Sequence, residues 1–187
     1  NWAPIAGDGE LTNKTLVILG YGGIGSQVAK IGKAFGMRVT GIRRNPQDDE
    51  HADEVLGLDR FEELLPLTDY LVLSLPDSSQ TRDIINADIL EKINSSAMII
   101  NVGRGTAINE DDLTHALNDG KIAAAALDTT KVEPLDPNSS LWTAKNCFIS
   151  AHDSAHSLLS LERAFELFFQ NIKNIKNGDQ IVNLYSE

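Results

Sequence analysis

Leu16-Val17-Ile18-Leu19-Gly20-Tyr21-Gly22-Gly23-Ile24-Gly25-Ser26-Gln27-Val28-Ala29 decides the fold. Four apolar residues read as a strand running straight into Gly20. The residues from Ile24 onward open a helix, with Ile24, Val28 and Ile31 on one side. Between them stands G-x-G-x-x-G. Gly20 permits the tight turn, Gly22 lets the backbone approach a pyrophosphate, and Gly25 lets helix and strand pack closely. Free N–H groups at a helix N-terminus, with the helix dipole behind them, attract an anion. Such a motif also occurs as a plain structural turn. The strand before it and the helix after it are the context that a dinucleotide site needs. Gly20, Tyr21, Gly22, Gly23, Ile24 and Gly25 are therefore the first cofactor candidates.

Outward from this turn, two kinds of segment alternate. Strands are predicted at Thr15–Leu19, Arg38–Ile42, Tyr70–Leu75, Ala97–Val102, Ala123–Leu127 and Cys147–Ser150, mostly apolar throughout, as parallel strands covered on both faces are. Helices are predicted at Ile24–Phe35, Phe61–Leu65, Ala87–Lys92, Glu110–Asn118 and Leu158–Asn177. Asn109 stands as an N-cap before Glu110-Asp111-Asp112, and Gly36, Gly120 and Gly178 stand where helices end. Strand–helix alternation implies βαβ units and a three-layer, doubly wound α/β parallel sheet of the Rossmann type. Val132–Lys145 reads as a long loop of the kind that carries function.

Composition narrows the classes. The 187 residues carry 42% hydrophobic and 23% charged side chains and a net charge of −11. That charge argues against nucleic acid or an anionic membrane as partner, since both need a basic face. No apolar run approaches the about 20 residues that span a bilayer. The one cysteine, Cys147, excludes an internal disulfide and sits in an apolar run as a core thiol. No His/Cys cluster has metal spacing, so no metal is expected. The chain starts at Asn1 rather than Met, which reads as a fragment or a processed product.

The second strand ends in Ile42-Arg43-Arg44-Asn45-Pro46, where an NAD site usually carries an acid for the ribose 2′-hydroxyl. Arg43 lies 18 positions after Gly25. An arginine there pairs with a 2′-phosphate, which favours NADP. Arg43 and Arg44 can instead stack on adenine, with NAD still accepted. Three later segments put charged residues at strand ends: Asn101-Val102-Gly103-Arg104-Gly105, Leu127 to Leu135, and Ser150-Ala151-His152. An arginine can hold a carboxylate bidentately, a histidine can move a proton near neutral pH, and a carboxylate beside it favours its protonated form.

In this order the motifs resemble the D-2-hydroxyacid dehydrogenase family, over nearly the whole chain and in its nucleotide-binding domain. The resemblance rests on Glu10-Leu11, Gly20–Gly25, Ala34-Phe35-Gly36-Met37, Leu75-Pro76 with Thr81, and Ile99 to Gly105. It continues through Ala126-Leu127-Asp128, Glu133-Pro134-Leu135, Ser140-Leu141-Trp142, Asn146 and His152. It implies a substrate-binding Arg104, a catalytic Glu133 and an acid/base His152. It further implies that Asp128 contacts the nicotinamide carboxamide, and that Arg43, Arg44, Leu75, Pro76, Thr81, Val102, Gly103 and Ser154 join the glycine turn around NADP or NAD. Glu133, where formate dehydrogenases of the superfamily carry glutamine, favours a 2-keto or D-2-hydroxy acid substrate.

The chain departs from the family pattern at Ala151 before the histidine, at Asp153-Ser154-Ala155-His156 after it, and at Thr129-Thr130. The family's substrate domain has no counterpart in residues 1–187, which read as the cofactor half. Asn1–Asn13 reads as the linker and helix entering this domain, and Ile181 to Leu184 as the return toward the other. The resemblance implies a cytoplasmic homodimer joined through this domain. The family also contains NAD(H)-sensing corepressors with a similar trio, which is the alternative reading.

Overall fold

The computed structural model describes residues 9–183. The first eight residues of the expected entering segment, and Leu184 of the expected return, lie outside the described residues. The chain divides into two compact units between Ala151 and His152.

The first unit is built on seven parallel strands: β1 (Thr15–Leu19), β2 (Arg38–Ile42), β3 (Glu54–Leu56), β4 (Tyr70–Leu73), β5 (Met98–Asn101), β6 (Ala124–Leu127) and β7 (Cys147–Ile149). Their order across the sheet is β3-β2-β1-β4-β5-β6-β7, every pairing parallel. The helices are α1 (Gly23–Ala34), α2 (Phe61–Leu64), α3 (Ala87–Lys92) and α4 (Glu110–Asn118). Six strands stand where the sequence reading puts them, β1 and β2 with the same bounds and the other four shortened by one or two residues. The seventh, β3, was not expected. It is three residues long, and the 43–53 link before it holds no helix, so nothing in the pattern announces a βαβ unit there.

β1 divides its side chains between two cores. Val17 and Leu19 join one cluster with Leu113 and Leu117 of α4 and Ile89 and Leu90 of α3. Leu16 and Ile18 join the other with Ala29 of α1 and Val39 of β2. Strand side chains alternate faces, so β1 is covered on both sides. Toward β7 one face opens: Ile100, Ala124 and Ala126 are only half-buried and Phe148 on the edge strand is 64% exposed.

Of the expected apolar face of α1 only Val28 packs, half-buried against the core. Ile24 and Ile31 are 57% and 59% exposed, and the buried residues are Gly25, Ala29 and Gly32. The reason is distance. A Cβ on Gly25 would stand 2.8 Å from the Gly20 carbonyl oxygen, and one on Gly32 2.6 Å from a Leu16 methyl. A helix that lies this close to its strand needs small residues on the contact face, so hydrophobicity pointed to the wrong side.

Helix ends follow the sequence. Asn109 Oδ1 accepts from the Asp112 amide at 3.2 Å. Gly36 and Gly120 have φ of +74° and +72°. Cys147 is half-buried, and burial, with Glu110 adding to it, pushes its thiol up to about 11, which leaves it unreactive at neutral pH. The second unit holds α5 (Ser160–Asn177), closed by Gly178 at φ +78°. Its Asn174 donates to the Gln180 carbonyl at 2.8 Å, and Phe168 packs edge-on against Phe169. Among the described residues no helix is long and apolar enough to cross a membrane.

Gly105 offers the sharpest stability test. A Cβ there would overlap the Thr130 carbonyl and the Lys131 nitrogen, which are backbone and have little room to move. Gly105→Ala is expected to cost about 3 kcal/mol or more, as severe overpacking does, read from the urea midpoint. At Gly22 a Cβ meets nothing within 4 Å, so Gly22→Ala should keep the wild-type midpoint. Equal midpoints for the two variants would contradict the packing at Gly105.

Candidate functional site

In an all-parallel sheet every strand ends at the same edge. From β1 the chain steps to β2 and β3 on one side, then returns to β4 on the other side of β1. Between β1 and β4 the crossovers diverge, and a crevice opens at their carboxyl ends, the place where doubly wound folds bind ligands. Gly20 follows β1 there and Ser74-Leu75 follow β4. Gly20 has φ +100°, and a Cβ on it would stand 2.8 Å from the Ser74 carbonyl. Ser74 Oγ donates to the Gly20 carbonyl oxygen at 2.8 Å, which ties the two strand ends together.

The opening of α1 fits a phosphate. Its N-cap is Gly22, no side chain caps it, and its first turn carries no acid. Each of the other four α-helices has at least one acid in its first turn, and α3 and α4 are also capped by Asn86 and Asn109. Gly22, Gly23 and Ile24 are exposed, and no atom lies within 4 Å of a Cβ placed on Gly22 or Gly23. Exposed amides, a positive dipole end and no competing carboxylate make the cradle that a pyrophosphate needs. Tyr21 is different: it is 3% exposed, with its ring lying over Gly41. Only its backbone remains for a ligand. Its buried hydroxyl lies toward the Asp49 carboxylate, outside strict hydrogen-bond geometry but close enough to act on it. Burial first, then the nearby Asp49 carboxylate, push it up to about 12.

At the end of β2, Arg43 is half-buried and its amide donates to the Leu56 carbonyl at 3.0 Å. Arg44 is exposed and donates to Gln80 Oε1 at 3.2 Å. An acid does stand near this strand end, though later in the chain than expected. The His51 amide, the Tyr21 hydroxyl, and the charges of His51 and Arg43 hold the Asp49 carboxyl below its usual range. After β4, Leu75 is half-buried and Pro76 exposed. Thr81 shapes this loop, its hydroxyl donating to the Pro76 carbonyl at 2.7 Å and accepting from the Ser78 amide at 3.0 Å.

The β5 end is organised by Asn101, which is fully buried. Its Oδ1 accepts from the Gly103 amide at 3.0 Å, and its Nδ2 donates to the Arg104 carbonyl at 3.0 Å. This clamp fixes the turn that presents Arg104, whose side chain is exposed with Nη1 donating to the Gly103 carbonyl at 2.9 Å. Val102 beside it is half-buried and continues the ladder to the Leu73 carbonyl at 3.0 Å. Gly103 lies so close to the loop after β4 that a Cβ would stand 2.7 Å from the Leu75 nitrogen. Thr106 donates to Asp77 Oδ1 at 2.9 Å. The Arg82 guanidinium, then Thr106, and further off the Arg104 charge, hold Asp77 below the usual carboxylate range.

The β6 end carries Asp128, 6% exposed, whose amide donates to the Asn101 carbonyl at 2.9 Å. Its Oδ1 accepts from Ser150 Oγ at 2.6 Å. Glu133 curls back so that Oε1 accepts from the Thr130 amide at 3.1 Å. Since Gly105 packs on Thr130, the loops of Arg104 and Glu133 lie side by side. His152 and Ser154 belong to the second unit. There His152 has φ +54°, and Asp153 accepts through its carbonyl from the His156 amide at 2.9 Å. Among the described residues no group of three His, Cys, Asp or Glu side chains could hold a metal ion.

Sequence reading quoted Asn101 and Ser150 without seeing their hydrogen bonds, and missed Ser74, Asp77 and Thr106. A signal existed for Ser74, Asn101 and Ser150: each is the last strand residue or the first after it, polar at the end of an apolar run.

The sequence profile of the D-isomer specific 2-hydroxyacid dehydrogenase, NAD binding domain, matches residues 1–154. A glyoxylate reductase of Aeropyrum pernix is 37% identical over 98% of this chain and 55% of its own length. A human glyoxylate reductase/hydroxypyruvate reductase is 39% identical over 81% of this chain and 47% of its own. The chain thus spans about half the length of these curated relatives. Among solved structures, the NADPH-dependent glyoxylate/hydroxypyruvate reductase of Sinorhizobium meliloti, in complex with NADP and sulfate, superposes with a TM-score of 0.87 at 28% identity, covering 99% of this chain and 59% of that one. With its seven parallel strands, its open helix N-terminus at the switch point and this match, the chain belongs to the D-isomer-specific 2-hydroxyacid dehydrogenase family and comprises its NAD-binding domain.

Proposed function

We propose that this chain is the cofactor half of an NADP-preferring dehydrogenase that reduces a 2-keto acid to a D-2-hydroxy acid, or runs the reverse. One observation carries the reading: the one α-helix among the described residues without an acid in its first turn opens on the same sheet edge that holds the Arg104 and Glu133 loops side by side. Relatives described as glyoxylate and hydroxypyruvate reductases support the substrate class. Three structural neighbours solved with NADP or NADPH support the cofactor. The homodimer, the cytoplasmic setting and the cofactor contacts of Leu75, Pro76, Thr81, Val102, Gly103 and Ser154 rest on the family resemblance.

The nicotinamide, when bound, supplies or takes up the hydride at the substrate C2. The protein's own residues do the rest. The amides of Gly22, Gly23 and Ile24 would receive the pyrophosphate, Arg43 with Arg44 would meet the 2′-phosphate, and Asp128 would accept from the carboxamide. Arg104 binds the substrate carboxylate and polarises its carbonyl. In reduction, protonated His152 gives its proton to the carbonyl oxygen as the hydride adds to carbon, so that the ketone becomes a hydroxyl. The family resemblance gives Glu133 the part of favouring the protonated imidazole.

Fluorescence titration of the chain with NADPH and NADH tests the cofactor assignment. NADPH is expected to bind more tightly, and Arg43→Ala to weaken it by about tenfold or more, the scale of a lost charged hydrogen bond, with little change for NADH. Equal loss for both dinucleotides would remove Arg43 from 2′-phosphate recognition. In the full-length enzyme, His152→Ala is expected to lower kcat by about 10²–10⁴, the range for an acid/base group. An unchanged rate would remove His152 from the proton transfer.

A further inference from the structure

We infer that Ser150 is a positioning residue for the cofactor: it holds the Asp128 carboxylate in the orientation that accepts from the nicotinamide carboxamide. The inference rests on the dehydrogenase reading above and extends it to a residue outside the Arg104, Glu133 and His152 trio.

The geometry follows from the sheet. Leu127 of β6 is paired in register with Ile149 of β7, so the next residues along, Asp128 and Ser150, are lateral neighbours on parallel backbones. Both backbones are already fixed. The Asp128 amide donates to the Asn101 carbonyl and the Ser150 amide to the Leu127 carbonyl, each at 2.9 Å. The pairing of β6 with β7 is therefore held without the Ser150 hydroxyl. What the hydroxyl adds is direction. It donates to Asp128 Oδ1 at 2.6 Å, the short distance of a hydroxyl on an ionised carboxylate.

A carboxylate has room for several donors. With one oxygen engaged by a short rigid side chain, its plane is set and its remaining lone pairs point in a fixed direction. Asp128 is 6% exposed and stands among buried Asn101, Thr129 and Thr130, so water does little to reorient it. A planar amide that donates N–H is the ligand chemistry this arrangement suits, and the carboxamide is the group on a nicotinamide that has it. Sites held on strand ends with a supporting hydrogen bond keep tighter geometry than sites on free loops.

The test compares two reduced cofactors in the full-length enzyme: NADPH, and its 3-acetylpyridine analogue, in which a methyl ketone replaces the amide and no N–H is donated. Wild type is expected to prefer NADPH in kcat/KM. Ser150→Ala is expected to raise both the KM for NADPH and its Kd from fluorescence titration without substrate about tenfold, the scale of a charged hydrogen bond, and to shrink the preference for the amide by the same factor, with little change for the analogue. Ser150→Thr, which keeps the hydroxyl, should restore both. An equal loss on the two cofactors would mean a merely structural role and would overturn the inference, as would no loss at all. Asp128→Ala in the same assay separates the layers. If it leaves the amide preference intact, Asp128 does not read the carboxamide, and the assignment fails at that residue whatever Ser150 does.

Discussion

Helix α1 lies on β1 at a distance that only small residues allow, with Gly25 against the Gly20 carbonyl and close to Ser74 Oγ. Much of the edge depends on that approach. It turns the chain sharply enough that the amides of Gly22 and Gly23 end up exposed at the mouth of the crevice rather than folded into it. It also lets Ser74 reach the Gly20 carbonyl, so the two strands that flank the switch point are joined at their ends. A larger residue at position 25 would lift the helix and shift its amides away from the mouth of the crevice. Leaving those amides uncapped weakens the helix end, since capping is ordinarily worth about 1 kcal/mol. Side chains cap α3 and α4 but not α1, α2 or α5, and of these uncapped helices α1 alone also lacks an acid in its first turn.

Further along the edge the physical problem changes. Asn101, Asp128, Thr129 and Thr130 are all buried polar residues, and burying such groups is costly unless their hydrogen bonds are made. Asn101 answers by spending both ends of its amide on its own loop. Asp128 accepts from Ser150, and Thr130 donates through its hydroxyl to the Val132 carbonyl at 2.9 Å. These bonds stabilise little beyond their own burial. Their effect is to make each loop rigid, so that Arg104 and Glu133 leave the sheet from fixed points. Thr129, whose hydroxyl finds no partner among the described residues, is the one polar group here that the packing does not explain.

The glycine turn, six of the seven strands and all five helices were legible because each has a pattern of its own: an apolar run, a cap, a closing glycine. β3 was not, because three residues carry no period. The buried face of α1 was misread for a deeper reason. Hydrophobic spacing reports which residues avoid water, whereas this interface is decided by how close two backbones come, and glycine is silent on a hydropathy scale. The site divides in the same way. Arg104, Glu133 and His152 stand out as charged or titratable residues after strands. Ser74 and Ser150 hold the strand ends of the first unit through one side-chain hydrogen bond each and Asn101 through two, and a small polar residue at a strand end looks like ordinary punctuation until register places it beside its partner.

Cofactor choice shows how register and charge have to be weighed together. From the sequence, two arginines at the end of β2 and no acid among them read as a site for a 2′-phosphate. In the fold, Asp49 comes back to that strand end, held by the His51 amide and the Tyr21 hydroxyl and with the Arg43 charge acting on it. Its lowered pKa keeps it ionised, so this attraction is present at neutral pH and is lost only as pH falls through the depressed value. A 2′-phosphate must then compete with Asp49 for Arg43 and bear its repulsion, while a 2′-hydroxyl meets an acid that can accept from it. The doubly charged phosphate has the stronger pull on a guanidinium fork, and the proposed NADP preference rests on that difference. Asp49 narrows it relative to the bare pair of arginines.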